Sequence, residues 1–212
     1  MSFKNDQVSE GETERILELA REALRLDGDF VEMGCYKGDT SLLLAEVLRN
    51  SGISSKRLWI YDSFEGLPEK SASDESVLGV DFRGGELYVT KREVKERFLR
   101  AGLPVPVIKK GWFSDLTGED MPERIAFAFL DGDFYESIRD SLRLVAPRMV
   151  DGGVLVVHDY TNPALPGVKK AVDEWKKGGG GLGCDGGGAI GGDSNRGGNR
   201  GDNRGRVLTF LL

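Results

Sequence analysis

This chain is poor in several things. Only two cysteines, Cys35 and Cys184, occur in 212 residues. Neither reads as half of a structural disulfide, which fits a reducing cytoplasm. No apolar run approaches the roughly 20 residues that a membrane-spanning helix needs. The opening stretch MSFKNDQVSEGETER is polar and acidic, unlike a signal peptide. Positive charge is also short: 29 Lys and Arg stand against 35 Asp and Glu, a net charge of −6. The surface therefore has no global attraction for nucleic acid or an anionic membrane. Glycine is plentiful but uneven, with 14 of the 30 glycines lying between Gly178 and Gly205. That segment has almost no apolar content and cannot form a buried strand. Asp185, Asp193 and Asp202 dilute its arginines and no Phe or Tyr is interleaved for stacking, so little favours an RNA-binding role.

The rest of the chain alternates between two periodicities. Ser9 and Glu12 have capping-box spacing before a helical stripe of Ile16, Leu19, Ala20, Ala23 and Leu24. Phe30, Val31 and Met33 form a short strand. A second helix starts near Asp39 with Leu42, Leu43, Val47 and Leu48 inward. Residues 58–61 are strand two, residues 64–89 a long polar segment of lid character, and Thr90 with Glu93 caps a third helix. Residues 105–108 read as strand three and the unbroken apolar run 125–130 as a strand buried on both faces. Asp133 and Glu136 are expected to cap the next helix. Residues 154–157 are strand five, 167–177 a last helix and 207–212 a last apolar strand. Five such alternations predict a parallel sheet with helices on both faces, and in such sheets ligands sit beyond the carboxyl ends of the strands.

The residues at those ends carry the chemistry. Glu32-x-Gly34-x-x-x-Gly38, running into Thr40 and Ser41, is a glycine-bearing turn that lets backbone approach a ligand and offer it free N–H groups. Asp62, followed by Ser63, ends strand two where it can accept from both ribose hydroxyls. A pyrophosphate loop reads G-x-G-x-x-G; here two glycines stand at a different spacing, with Cys35 and Tyr36 filling the loop. An acid at Glu32 is better explained by an ammonium-bearing ligand such as S-adenosylmethionine. Trp112 and Phe113 follow strand three, where one can stack on adenine, while core packing is an even alternative for Phe113.

Asp131, Asp133, His158 and Asp159 follow strands four and five. Gathered carboxylates repel unless protonated, hydrogen-bonded or neutralised by a cation. A hard ion such as Mg²⁺ takes oxygen ligands and would lower the pKa of a substrate hydroxyl. Asp131 in the cleft reads as functional. His158, the chain's single histidine, reads as ligand or general base, with both roles open.

Asp62–Pro68 (DSFEGLP), 111–115 (GWFSD), 130–137 (LDGDFYES), 158–160 (HDY) and 169–175 (KKAVDEW) occur in order, and together they resemble the macrocin O-methyltransferase family. The resemblance covers about residues 28–177. It implies a Rossmann-like class I methyltransferase sheet, S-adenosylmethionine as cofactor, and a small hydroxylated acceptor of sugar or natural-product type. It also implies a Mg²⁺ or other divalent site from Asp131 and an acidic pair after strand five, with Asp131 as general base by analogy. The family's pair is usually Asp-Asp; here it is His158-Asp159. The candidate cofactor residues are Glu32, Gly34, Tyr36, Gly38, Thr40, Ser41, Asp62, Ser63, Trp112 and Phe113. The candidate metal ligands are Asp131, His158 and Asp159, and the candidate catalytic residues Asp131 and His158. The resemblance stops after Trp175. Residues 1–177 are expected to be the methyltransferase domain and 178–205 a glycine-rich segment in place of the sixth strand, with 206–212 closing the sheet. A cytoplasmic enzyme without nucleic-acid or membrane partners is expected, with room for a homo-oligomer. The alternatives are a non-catalytic cofactor-binding protein of the same fold and a nicotinamide-dependent oxidoreductase.

Overall fold

A computed structural model describes residues 7–78, 82–179 and 207–212. They form one six-stranded sheet in the order β3-β2-β1-β4-β5-β6, every pair parallel. The strands are β1 (Asp29–Met33), β2 (Leu58–Asp62), β3 (Val107–Lys110), β4 (Ile125–Leu130), β5 (Met149–Val157) and β6 (Leu208–Leu211). The helices are α1 (Glu10–Ala23), α2 (Asp39–Ser51), α3 (Lys91–Ala101), α4 (Tyr135–Val145) and α5 (Pro166–Lys177).

Side chains alternate across a strand, and the sheet uses both faces. Phe30, Ile60, Phe127, Phe129 and Val156 pack beneath α1, α2 and α3. Val31, Met33, Tyr61, Ala128, Leu130 and Leu155 pack beneath α4 and α5. Every residue of β4 is buried, which explains why its sequence shows no alternation. Truncating fully buried Phe127 to Ala would cost about 3–5 kcal/mol, from lost apolar burial plus the cavity left behind.

The capping boxes at Ser9–Glu12 and Thr90–Glu93 both form. On α2 Leu42 is fully buried as expected, but so is Leu44, while Leu43 is half-buried. β3 begins at Val107, two residues later than its apolar run, because Pro104 and Pro106 have no N–H for a ladder and Val105 is exposed. Asp133 and Glu136 do not cap α4: its first residue is Tyr135, and the Tyr135 amide donates to Asp74 Oδ1 at 2.7 Å. The closing strand forms as β6, parallel to β5 and reached past α5. From Gly180 to Arg206 the glycine-rich segment lies outside the described residues.

Strand order reverses between β1 and β4, since the chain runs outward through β2 to β3 and then returns. A crevice opens at such a switch point, at the carboxyl ends of the strands. No helix of the described residues is long and apolar enough to cross a membrane.

Candidate active site

The crevice is a cleft enclosing about 910 Å³, its open mouth included. Of the residues expected to form the site, Glu32, Gly34, Tyr36, Thr40, Asp62, Ser63, Trp112, Phe113, Asp131, His158 and Asp159 line it. Gly38 and Ser41 do not. Gly38 is the left-handed N-cap of α2, and fully buried Ser41 donates its hydroxyl to Glu32. Five non-glycine residues among those described have positive φ: Tyr36, Phe64, Leu87, Asp133 and Asp159. Four of them line the cleft, so unfavourable backbone geometry concentrates where function is expected.

The β1 loop is built differently from the expectation. The amide of Gly34 donates to Tyr61 O, that of Gly38 to Cys35 O, and those of Cys35 and Tyr36 to Asp62 Oδ2 at 2.9 and 3.2 Å. These N–H groups are spent inside the protein and are not free for a ligand. The loop is thus no phosphate cradle, which weighs against a dinucleotide pyrophosphate. Gly34 is required by packing: its φ is +90, and a Cβ there would overlap the Asp131 carbonyl. Asp62 Oδ1 also accepts from Phe64 N at 2.7 Å. A carboxylate has about four acceptor positions. With three filled, Asp62 retains room for about one further donor, fewer than the expected ribose pair.

Glu32 is 1% exposed. Loss of water pushes its carboxyl up to about 8; the Ser41 hydrogen bond opposes this, while the nearby Asp131 and Asp62 carboxylates add to it. Burial likewise pushes the Cys35 thiol up, with the Asp62 charge reinforcing it, which disfavours the thiolate.

At the other side of the crevice, His158 Nδ1 lies 3.1 Å from Asp131 Oδ1 and 2.9 Å from Asp159 Oδ2. Burial alone would lower the imidazole pKa. Hydrogen bonds and charge from the two aspartates override it and raise it to about 11. Asp159 is also desolvated, but its hydrogen bond to His158 wins and holds its carboxyl below the usual range. Nε2 is buried without a hydrogen-bond partner and faces Glu12 Oε2 of α1 at 3.8 Å.

The ligand atoms of Asp131, His158 and Asp159 all lie within 4.8 Å of one another. Adjacent ligands of an octahedral ion with bonds near 2.1 Å stand about 3 Å apart, close to the two measured separations from His158 Nδ1. These separations are compatible with the ligands of one small divalent cation once the Nδ1 proton is lost.

Sequence reasoning placed Asp133 among the strand-end acids but read it as a helix cap, and it missed Asp74. Asp133 has a φ of +59 and lines the cleft beside Asp131. Lost hydration raises its carboxyl well above the usual range, and the Asp131 and Asp159 charges add to this. The Asp133-x-x-Glu136 spacing suggested a cap and hid this placement. Asp74, 2% exposed, ties the lid segment to α4 and had no signal in its polar surroundings.

A parallel sheet with this strand order, a cofactor-sized crevice at its switch point and an acidic cluster across from a glycine turn defines a Rossmann-like methyltransferase fold. The profile of the macrocin-O-methyltransferase (TylF) family matches residues 13–180, and the chain belongs to that family. It is 35% identical over 154 residues to 8-demethyl-8-(2,3-dimethoxy-alpha-L-rhamnosyl)-tetracenomycin-C 4'-O-methyltransferase of Streptomyces olivaceus, a match covering 70% of this chain. It is 31% identical over 154 residues, again 70% of this chain, to demethyldecarbamoylnovobiocin O-methyltransferase of Streptomyces niveus. Each match spans 58% of the relative's own length. The solved O-methyltransferase NovP superposes with a TM-score of 0.71 at 30% identity, covering 79% of this chain and 71% of that one.

Proposed function

We propose that this chain is an S-adenosylmethionine-dependent O-methyltransferase that methylates a hydroxyl of a sugar-type natural product, with a divalent cation assisting. The observation that carries this reading is the pairing, across one crevice, of a buried carboxyl at Glu32 with the Asp131–His158–Asp159 cluster. The family and the two relatives, named for O-methylation of a tetracenomycin and of a novobiocin precursor, support the reaction class and a small hydroxylated acceptor. The spent amides of the β1 loop disfavour the nicotinamide alternative.

In this reading Glu32 meets the ammonium group of the cofactor, an arriving positive charge that favours the ionised carboxylate. Asp62 holds the β1 and β2 loops together and offers its remaining acceptor position to the ribose. Trp112 and Phe113 present aromatic faces to the adenine. Methyl transfer forms a bond from the acceptor oxygen to the sulfonium methyl as the carbon–sulfur bond breaks, and the hydroxyl proton must leave. Asp131 receives that proton; its Oδ1 is oriented by His158 while Oδ2 remains available. A divalent ion held by Asp131, His158 and Asp159 would, when bound, take the place of the proton that Nδ1 shares with the two aspartates and lower the pKa of the acceptor hydroxyl. Fixing the oxygen in line with the methyl group supplies much of the remaining rate.

Calorimetric titration with S-adenosylhomocysteine and with NAD separates the enzyme classes. Saturable binding of the first and none of the second is expected; the converse ends the methyltransferase reading. Methyl transfer that proceeds unaffected by both chelator and Asp131→Asn would remove the cation and the base from the proposal.

A further inference from the structure

We infer that the cation site of this chain prefers a borderline transition ion, such as Zn²⁺ or Co²⁺, more strongly than an all-oxygen site would, and that Glu12 of α1 orients the histidine ligand. This rests on the proposed cation reading and goes beyond it to the kind of ion. The two carboxylates converge on one nitrogen, His158 Nδ1, at 2.9 and 3.1 Å. The donor set is therefore one imidazole nitrogen and two carboxylate oxygens. Mg²⁺ prefers oxygen ligands and retains its waters, whereas imidazole favours the later divalent transition ions.

The second ring nitrogen carries the rest of the argument. A ring that ligates through Nδ1 keeps its proton on Nε2, and ligating histidines direct that proton to a carboxylate, carbonyl or water. The His158 side chain is 7% exposed, and Nε2 has no hydrogen-bond partner. It faces Glu12 Oε2 at 3.8 Å, an oxygen that already accepts from the amide and hydroxyl of Ser9 in the capping box. A hydrogen bond would require this gap to close by roughly 0.6 Å or more, into the normal N–H···O range.

The chain has one histidine, so a tag-free protein labelled with ¹⁵N-histidine reports on this ring alone. After chelator treatment, Zn²⁺, Co²⁺ and Mg²⁺ are each titrated by calorimetry, and the ¹⁵N resonances are followed with Zn²⁺ and Mg²⁺. Zn²⁺ is expected to shift the Nδ1 resonance. His158→Asp should shrink the Zn²⁺-over-Mg²⁺ preference by at least about tenfold, while Glu12→Gln, which can still accept at the cap, should weaken Zn²⁺ binding by about 10–100-fold. A metal preference unchanged by His158→Asp overturns the inference, as does Zn²⁺ binding that leaves Nδ1 unmoved. Binding of no ion at all overturns it together with the cation reading. Retained S-adenosylhomocysteine affinity in the same sample would then leave the methyltransferase reading standing.

Discussion

The two halves of the crevice use acids in opposite ways. On the β1–β2 side each carboxyl is already engaged by its own protein. Asp62 accepts three backbone N–H groups, and Glu32 accepts the Ser41 hydroxyl. On the β4–β5 side Asp131 and Asp159 share a single imidazole nitrogen, Asp133 crowds beside them, and the imidazole's other nitrogen has no hydrogen-bond partner. The first half is a finished frame, rigid because its polar groups are satisfied. The second half holds excess charge that becomes stable only through a proton, a cation or a substrate. In the proposed function, binding falls to the first half and bond-making to the second.

The sharpest way to break this division is Asp131→Asn. Amide for carboxylate keeps the shape and removes the proton acceptor. Methyl transfer should fall about 10²–10⁴-fold, the usual worth of a positioned base, while S-adenosylhomocysteine affinity stays nearly unchanged. Loss of cofactor binding in parallel with rate would show that the two halves are not separate.

The next largest effect is a pH dependence from Glu32. Its folded-state value of about 8 lies above the unfolded 4.5, so the unfolded chain gives up its proton first. Stability is therefore intact below pH 4.5, declines as pH rises toward 8 and levels off beyond. Relative to Glu32→Gln, the parent should lose on the order of 3 kcal/mol between pH 5 and 8. Denaturant unfolding of both proteins at each pH measures it, and parallel pH profiles would refute the assignment. Asp62→Ala should have a smaller effect, weakening S-adenosylhomocysteine binding by about 1–3 kcal/mol, the scale of losing charge-assisted hydrogen bonds. An unchanged calorimetric Kd would remove Asp62 from the cofactor frame.

Most of the frame was legible in the sequence because its signals are local. Apolar runs marked the strands, Ser9–Glu12 and Thr90–Glu93 marked two helix starts, and the acids fell at strand ends. What escaped depends on contacts distant in sequence. Asp62 looked free for ribose, yet its partners Cys35 and Tyr36 lie 27 and 26 residues away. Asp133 resembled a cap because capping spacing is a pattern of three residues, and nothing in that pattern reveals a competitor 61 residues upstream. Strand β3 was displaced because apolar content alone does not register the missing N–H of Pro106.

That competitor gives the smallest prediction and tests whether the lid segment belongs to either half. Asp74 Oδ1 accepts from the first amide of α4, and Oδ2 accepts from the backbone and hydroxyl of Ser71. One carboxylate thus fastens the segment after β2 to the helix that begins just beyond Asp131 and Asp133. Gly167 of α5 leaves room for it, since a Cβ there would overlap the carboxylate. The segment continues to Leu87, which lines the cleft with Leu67, and the Leu67 amide donates to Glu86 O at 2.8 Å. Removing the carboxylate with Asp74→Ala loses a helix cap worth about 1 kcal/mol, a fall in Tm of roughly 2–4 °C for a chain of this size. Gly167→Ala attacks the same contact from the other side and should cost less when combined with Asp74→Ala than alone, because the overlap with the carboxylate is then gone and only the 2.9 Å approach to the Tyr135 backbone nitrogen is left. Thermal unfolding of the two single variants and the double variant measures this coupling. Fully additive losses would show that Asp74 and Gly167 act separately and that the lid is fastened elsewhere.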